Sequence, residues 1–166
     1  MSLLWIVLAL VAAERLAELV LARRNTARLL ARGGIEHGRG HYPLIVALHA
    51  AWLAAMALLI PADTPPDWRW LGLFVILQGA RVWVLASLGP YWTTRVISVP
   101  DAPLVRRGPY RFMAHPNYLV VVLEIALLPL AFGAWRIALA FSLLNGALLW
   151  HRLRVETSAL APRKSL

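Results

Sequence analysis

Residues 42–60 read YPLIVALHAAWLAAMALLI, an apolar run that contains no Asp, Glu, Lys or Arg. An α-helix needs about 20 such residues to cross the hydrocarbon core of a bilayer. Pro43 stands where a helix would begin, and a proline in the first turn removes no helical hydrogen bond. A second apolar run extends from about Trp68 to Leu88 and stops at Gly89-Pro90. These two stretches predict helices that span a membrane.

The composition of the whole chain indicates the same class of protein. Of its 166 residues, 60% are hydrophobic and only 15% are charged, and the mean hydropathy is +0.65. A soluble domain has about a quarter of its residues charged, so this chain has too little polar surface to cover a water-soluble globule. Disorder, collagen and coiled coil are excluded. There is no cysteine, which excludes disulfides, cysteine zinc sites, iron–sulfur clusters and cysteine nucleophiles.

Three further segments have the length and apolar character of spanning helices. The five predicted helices cover residues 2–22, 42–60, 68–88, 116–133 and 134–156. We therefore predict an all-α fold, an integral membrane bundle of five transmembrane helices that forms a single domain over residues 1–166. The long proline-rich connection from Gly89 to His115 precedes the fourth helix. Connections of that length are functional or disordered, and its aromatic residues favour a functional loop.

The distribution of positive charge predicts the orientation. Lys and Arg number 17 against 8 Asp and Glu, a formal net charge of +9. Thirteen of the cations follow the first helix, follow the third helix or lie at the end of the fifth, whereas only Arg69 and Arg136 lie on the opposite side. Cytoplasmic loops are enriched in Arg and Lys, so the C-terminus is predicted in the cytoplasm and the N-terminus outside. Because topology accounts for the charge, no nucleic-acid partner is expected.

Several ionisable residues lie within predicted spans, where a charge is costly and is a functional candidate by default. Glu14 and Glu18 are one turn apart on the first helix, and Arg81 in the third helix is expected to pair with one of them. Glu124 lies about two turns into the fourth helix, on the same face as Asn117, and either a structural or a functional role is open. No metal site is predicted, because glycines separate the nearest histidine pair.

Two short stretches bring polar groups to the same predicted level of the bundle. Residues 104–118 read LVRRGPYRFMAHPNY, and residues 152–160, at the end of the fifth helix, read RLRVETSAL. Arg152 and Glu156 are four residues apart and therefore share a helix face. Taken separately, the first stretch is typical of a surface turn and the second of a helix-end salt bridge.

Together, these stretches resemble the isoprenylcysteine carboxyl methyltransferase family of membrane enzymes. The shared pattern is a Gly-x-Tyr turn, a His-Pro-x-Tyr at a helix start and an Arg-x-x-x-Glu on the last helix, and it covers roughly residues 89–160. The sequence Arg23-Arg24-Asn25, a glycine turn over residues 33–38 and His41-Tyr42-Pro43 also resemble a bacterial branch of lipid O-methyltransferases. That branch is thought to methylate alkylpyrones or phenolic lipids.

The resemblance implies S-adenosylmethionine as the cofactor and gives each matching residue a role. Leu104 and Val105 would offer backbone groups to the cofactor, and Glu156 would hold its amino group or the geometry of the site. Arg152 would face the acceptor oxygen, which makes Arg152 and Glu156 the candidate catalytic residues. The other candidates that the resemblance gives are Tyr110, His115, Pro116, Asn117 and Tyr118 around the cofactor, and Arg95 as a further polar contact. Glu124 is a candidate beside the acceptor because of its depth in the fourth helix. Two positions depart from the family pattern, with Ala114 in place of Arg and Thr157 in place of a second Glu.

The expected reaction is methyl transfer to an oxygen of a lipophilic or lipidated acceptor at the cytoplasmic face of a membrane, with a bacterial inner membrane as the expected location. Three alternatives stay open. They are an N-methyltransferase of phospholipid amines, an NADPH-dependent reductase of the related membrane fold, and a non-enzymatic membrane protein. The sequence leaves the acceptor and the oligomeric state open.

Overall fold

The computed structural model describes residues 2–38, 40, 42–100 and 105–160. Over this part of the chain five helices follow one another, α1 (Leu3–Ala31), α2 (Tyr42–Leu59), α3 (Trp68–Leu88), α4 (Pro116–Ala131) and α5 (Trp135–Leu160). Local sequence signals explain where two of these helices begin. The Asp67 carboxylate caps α3 by accepting from the backbone N–H of Arg69 at 3.0 Å, and Pro116 occupies the first turn of α4.

The bounds of the first and last helices differ from the sequence prediction. α1 continues nine residues beyond the predicted end at residue 22, and α5 ends at residue 160 rather than 156. The predicted span of α1 ended where the apolar run meets its first cluster of arginines. The helix itself continues, because Arg, Ala and Leu are all good helix formers. The C-terminal part of α1 is therefore a polar helical extension beyond the apolar run.

A small β-sheet corrects the all-α prediction. β1 (Ile35–His37) and β2 (Val96–Ser98) pair antiparallel, with Ile35 opposite Ser98 and His37 opposite Val96. The imidazole of His37 also hydrogen-bonds the hydroxyl of Ser98 at 2.8 Å. These three-residue strands belong to two connections that are about 60 residues apart in sequence, and short pairings of that kind leave no local pattern to predict from.

The apolar helices indicate a membrane protein without establishing the number of spans. Within the described residues, two stretches are long and apolar enough to cross a bilayer, Tyr42–Leu59 and Trp68–Tyr91, and α4 is apolar but shorter. α1 and α5 carry charged residues that reduce their hydropathy. Five membrane-spanning helices stay a prediction.

Three levels succeed one another along the bundle. At one end the core is apolar and includes Leu4 and Leu8 of α1, Met56 of α2, and Ile125 and Leu128 of α4. Charged side chains form the middle level. The opposite end, where α1, α3 and α5 finish and α4 begins, holds a cavity of about 460 Å³.

The middle level is a buried network of ion pairs. The Arg81 guanidinium donates two hydrogen bonds to Glu18, at 2.5 and 2.6 Å, and one to Glu124 at 2.7 Å. Arg15 also contacts Glu124, at 3.1 Å, and Gln78 donates to the same carboxylate at 2.9 Å. The expected pairing of Arg81 with the acidic face of α1 is confirmed. Because buried charges need partners, this network fixes α1, α3 and α4 relative to one another.

Candidate functional site

A cavity of about 460 Å³ opens at the end of the bundle where α4 begins. This volume lies within the range of about 300–1,000 Å³ that is typical of small-molecule and cofactor sites. Its walls come from the connection that follows α3, the turn before α4, the first turn of α4 and the last turns of α5. The long loop that the sequence singled out therefore supplies much of the cavity wall.

The Gly-Pro-Tyr turn is held against the end of α3 by close packing. Gly108 has a φ of 56°, and a Cβ at this position would collide with the side chain of Ser87. The neighbouring Arg107 donates from its Nε to the Ser87 carbonyl at 2.6 Å. Glycine is the residue that tolerates both this backbone conformation and this approach. The turn consequently places Tyr110 in the cavity wall.

The first turn of α4 presents two rings to the cavity. His115 is the N-cap residue, and Pro116 follows it at the helix start. The rings of His115 and Tyr118 stack with their centroids 5.2 Å apart and their planes 5° from parallel. The three-residue spacing brings both rings to one side of the helix.

Arg152 and Glu156 of α5 are joined through the Tyr118 hydroxyl. Arg152 donates from Nε to this hydroxyl at 2.8 Å and from Nη1 to the Thr94 carbonyl at 2.7 Å. The Tyr118 hydroxyl in turn donates to the Glu156 carboxylate. Arg152 is only 9% exposed although it lines the cavity. The guanidinium is therefore fixed by two elements, the first turn of α4 and the loop before β2.

The Glu156 carboxylate influences two further groups in the cavity. Its Oε1 lies 3.7 Å from Nδ1 of His115. Burial raises the pKa of the Tyr110 phenol, and the negative charge of Glu156 raises it further. Tyr110 is therefore a neutral phenol at pH 7, available as a hydrogen-bond donor.

The structure brings most of the candidate residues together. Those that line the cavity are Arg95, Val105, Tyr110, His115, Asn117, Tyr118, Arg152 and Glu156, together with Ala114 and Thr157 at the two departures from the family pattern. Pro116 is buried and sets the start of α4. Leu104 lies outside the described residues. Glu124 is not in the cavity wall, because its carboxylate belongs to the buried ion-pair network.

Sequence reasoning did not assign two residues that support the site. Thr94 contributes only a backbone carbonyl to Arg152, and a backbone group carries no signal in a sequence motif. Asn25 on α1 is 2% exposed, and its side chain bonds the connection that follows α3. The sequence offered Asn25 only as part of the Arg23-Arg24-Asn25 resemblance, which gave this residue no role.

The residues around the cavity are compatible with S-adenosylmethionine. Asn117 lines the cavity, and its buried Oδ1 has no hydrogen-bond partner among the described residues. Glu156 offers an anionic acceptor for an ammonium group. Tyr91 and Trp92 add aromatic residues to the cavity lining. The lining thus contains a negative charge for the amino group of the cofactor, acceptors for its hydroxyls and aromatic residues for its base.

Comparison with known proteins matches this region. The sequence pattern of the isoprenylcysteine carboxyl methyltransferase family matches residues 70–162. The chain belongs to this family. It is also 40% identical over 161 residues to the uncharacterized protein YpbQ of Bacillus subtilis (strain 168), covering 94% of this chain and 95% of that protein. An uncharacterized protein of Haemophilus influenzae is 24% identical over 163 residues, with 94% of each chain covered. No solved structure matches this chain.

Membership in the isoprenylcysteine carboxyl methyltransferase family indicates a membrane methyltransferase, a class that generally uses S-adenosylmethionine. The matched region contains α4, α5 and the long loop, and thus nearly every residue of the cavity wall. α1, β1 and α2 lie before it. The residues that form the cavity wall therefore lie almost entirely in the region that the chain shares with the family.

Proposed function

We propose that the protein transfers a methyl group from S-adenosylmethionine to an oxygen of a lipophilic acceptor. The observation that carries this proposal is the fixed group of Arg152, Tyr118 and Glu156 in the wall of a cofactor-sized cavity. It combines a buried cation with a carboxylate, linked by one phenol. Such a group can stabilise a negative oxygen and bind an ammonium group within one site.

S-adenosylmethionine supplies a methyl group that is already activated on a sulfonium. The protein therefore contributes alignment, exclusion of water and control of the acceptor's charge. Glu156, Asn117 and Tyr110 would hold the polar parts of the cofactor. Thr157, where the family pattern has a second Glu, leaves Glu156 as the carboxylate on that turn of α5.

Arg152 has a defined part in preparing the acceptor. Its Nε and Nη1 are committed to Tyr118 and Thr94, which holds the planar guanidinium in place at the cavity wall. A positive charge beside an enol or phenol favours the oxyanion. Tyr118 keeps the side chains of Arg152 and Glu156 in register. A carboxylate acceptor, already ionised at pH 7, would need no such help from a cation.

The rim of the cavity supports a lipophilic acceptor. Phe112 and Met113 line the cavity, yet they are 80% and 43% exposed. Large apolar side chains at such exposure are expected where an apolar partner or the membrane covers them. Arg106 and Arg111 lie on the same rim. This combination fits an acceptor with an apolar tail and a polar or anionic head.

The same charges support an orientation in the membrane. The exposed arginines at the end of α1 and in the loop before α4 lie at the cavity end, whereas Arg69 and Arg136 begin α3 and α5 at the other end. By the positive-inside rule we propose that the cavity lies at the cytoplasmic face and the N-terminus outside. The bacterial relatives favour a bacterial inner membrane as the location.

A calorimetric titration with S-adenosylhomocysteine and with NADPH tests the class of cofactor, using protein purified in detergent. Binding of S-adenosylhomocysteine alone is expected, and the variant Glu156→Gln is expected to lose it. Binding of NADPH alone would favour the reductase alternative, and binding of neither would contradict the methyltransferase proposal.

A second assay tests the acceptor. It follows transfer of a radiolabelled methyl group to a long-chain alkylphenol, a long-chain hydroxypyrone, a prenylated cysteine and phosphatidylethanolamine. Methylation of any of the first three supports an oxygen acceptor. Methylation of phosphatidylethanolamine alone would overturn the proposal of O-methylation.

A further inference from the structure

Asn25 joins α1 to the connection that follows α3. Its Nδ2 donates to the Gly89 carbonyl at 3.1 Å and to the Trp92 carbonyl at 2.8 Å. The side chain is 2% exposed. Both N–H groups of one buried amide are therefore committed to two carbonyls of a single short turn.

The turn that Asn25 holds is part of the cavity wall. Residues Gly89–Tyr91 form a single 3-10 turn at the end of α3, and Gly89 has a φ of 53°. The next residues, Trp92 and Thr93, line the cavity together with Tyr91. The Thr94 carbonyl then accepts from Arg152. A displacement of this turn would therefore move one wall of the cavity and a hydrogen-bond partner of Arg152.

A second contact fixes the far end of the same wall. The Arg95 guanidinium donates to the Glu36 carboxylate at 3.0 and 3.2 Å, and the Glu36 side chain is only 3% exposed. The pairing of β1 with β2 continues this connection through residues 96–98. The wall is thus held at both ends by residues that precede the region shared with the family, which begins at residue 70.

We propose that Asn25 is a positioning residue for the cofactor, acting through the 89–92 turn. This inference rests on the proposed function, because it assigns the cofactor to the cavity that the turn encloses. The chemistry of the amide makes the proposal specific. Only a donor can face two carbonyl oxygens favourably, whereas a carboxylate of the same shape would place negative charge against both.

The test compares Asn25→Asp and Asn25→Ala with a matched control, Asn145→Ala. Asn145 on α5 is also 2% exposed, is absent from the cavity wall, and has an Nδ2 without a hydrogen-bond partner among the described residues. Two measurements are made on each full-length protein in detergent. Hydrogen–deuterium exchange of the peptide covering residues 88–97 reports on the turn, and calorimetry reports the Kd of S-adenosylhomocysteine.

We expect Asn25→Asp to accelerate exchange in this peptide, because both hydrogen bonds that hold the turn are lost, and to raise the Kd about tenfold, because the displaced wall binds the cofactor less well. Asn25→Ala should have a smaller effect on both, and Asn145→Ala should leave both at the wild-type value. In turnover assays the KM for S-adenosylmethionine should rise by a larger factor than kcat falls, since Asn25 bonds Gly89 and Trp92 and not Thr94, whose carbonyl holds Arg152.

Three results would overturn the inference. In the first, Asn25→Asp behaves as the wild type, so that the amide only fills space. In the second, exchange accelerates but the Kd is unchanged, so that the turn does not position the cofactor. In the third, Asn145→Ala weakens binding as much as Asn25→Asp, so that the effect is general destabilisation. Failure of the proposed function is distinguishable from all three, because the wild type itself would then bind no S-adenosylhomocysteine.

Discussion

Replacing Arg152 with lysine keeps the positive charge and removes the planar fork. In the structure the guanidinium makes two separate hydrogen bonds, from Nε to the Tyr118 hydroxyl at 2.8 Å and from Nη1 to the Thr94 carbonyl at 2.7 Å. A lysine ammonium is a compact charge on a flexible stem and cannot reproduce this fixed pair of contacts. The substitution therefore separates the role of charge from the role of geometry.

The size of the effect follows from these contacts. A buried hydrogen bond to a charged group contributes about 1.5–3 kcal/mol, which corresponds to roughly 10- to 150-fold in a rate. Loss of one preorganised donor beside a developing oxyanion costs about 100- to 1,000-fold in turnover. We therefore expect Arg152→Lys to reduce kcat by about 100-fold, where the two ranges meet, with little change in the affinity for S-adenosylhomocysteine.

The assay measures transfer of a radiolabelled methyl group to the acceptor that the wild type methylates fastest, with the protein in lipid nanodiscs and the cofactor saturating. Arg154→Lys is the matched control. Arg154 lies on the same helix, is exposed, and has its guanidinium 3.7 Å from the centroid of the Trp150 ring, outside the cavity wall. It should retain wild-type turnover. Near-wild-type turnover of Arg152→Lys would refute the argument that the fork is needed, and full activity of Arg152→Ala would reduce Arg152 to a structural contact.

Four further outcomes are expected. His115→Ala and Tyr118→Phe should each weaken binding of S-adenosylhomocysteine by roughly one to two decades in a calorimetric titration, and unchanged affinity in both would remove these residues from the cofactor site. Glu124→Leu should lower the free energy of unfolding by about 1.5–3 kcal/mol, because Arg15 and Arg81 each lose a buried charged partner while both keep Glu18, and chemical denaturation in detergent measures this loss; a stable variant with altered acceptor preference would instead place this side chain near the substrate. Hydrogen bonds from Arg69 hold the pKa of Asp67 below its usual range, so the contribution of this cap to stability is complete at neutral pH and is lost as the pH falls through the lowered pKa. A melting-temperature series toward acid pH should therefore fall less steeply for Asp67→Asn than for the wild type, and parallel curves would contradict this. A reporter fused to the C-terminus should be active in the cytoplasm and one fused to the N-terminus outside, and a cytoplasmic N-terminus would contradict five spans.

By itself, the sequence determined the class of protein and the position of its helices. An apolar run such as residues 42–60 predicts a helix from local sequence alone, because a helix satisfies its backbone hydrogen bonds within the segment and needs no distant partner. Arg152 and Glu156 were predicted to share a face for a similar reason, since helix geometry fixes the relation of positions four residues apart. The Gly-Pro-Tyr turn and the His-Pro start of α4 were also visible, because glycine and proline restrict the local backbone.

The tertiary structure decided which distant groups meet. The pairing of β1 with β2 depends on hydrogen bonds between connections about 60 residues apart, and three residues on each side give no periodic pattern. The contact of Thr94 with Arg152 uses a backbone carbonyl that every residue type possesses. The sequence also could not show the partners of Glu124. Its depth in α4 predicted a role beside the acceptor, but the packing of α1 and α3 against α4 determines that its carboxylate lies between Arg15 and Arg81. Asn25 acts through partners 64 and 67 residues away, and its role therefore exists only once α1 has packed against the end of α3.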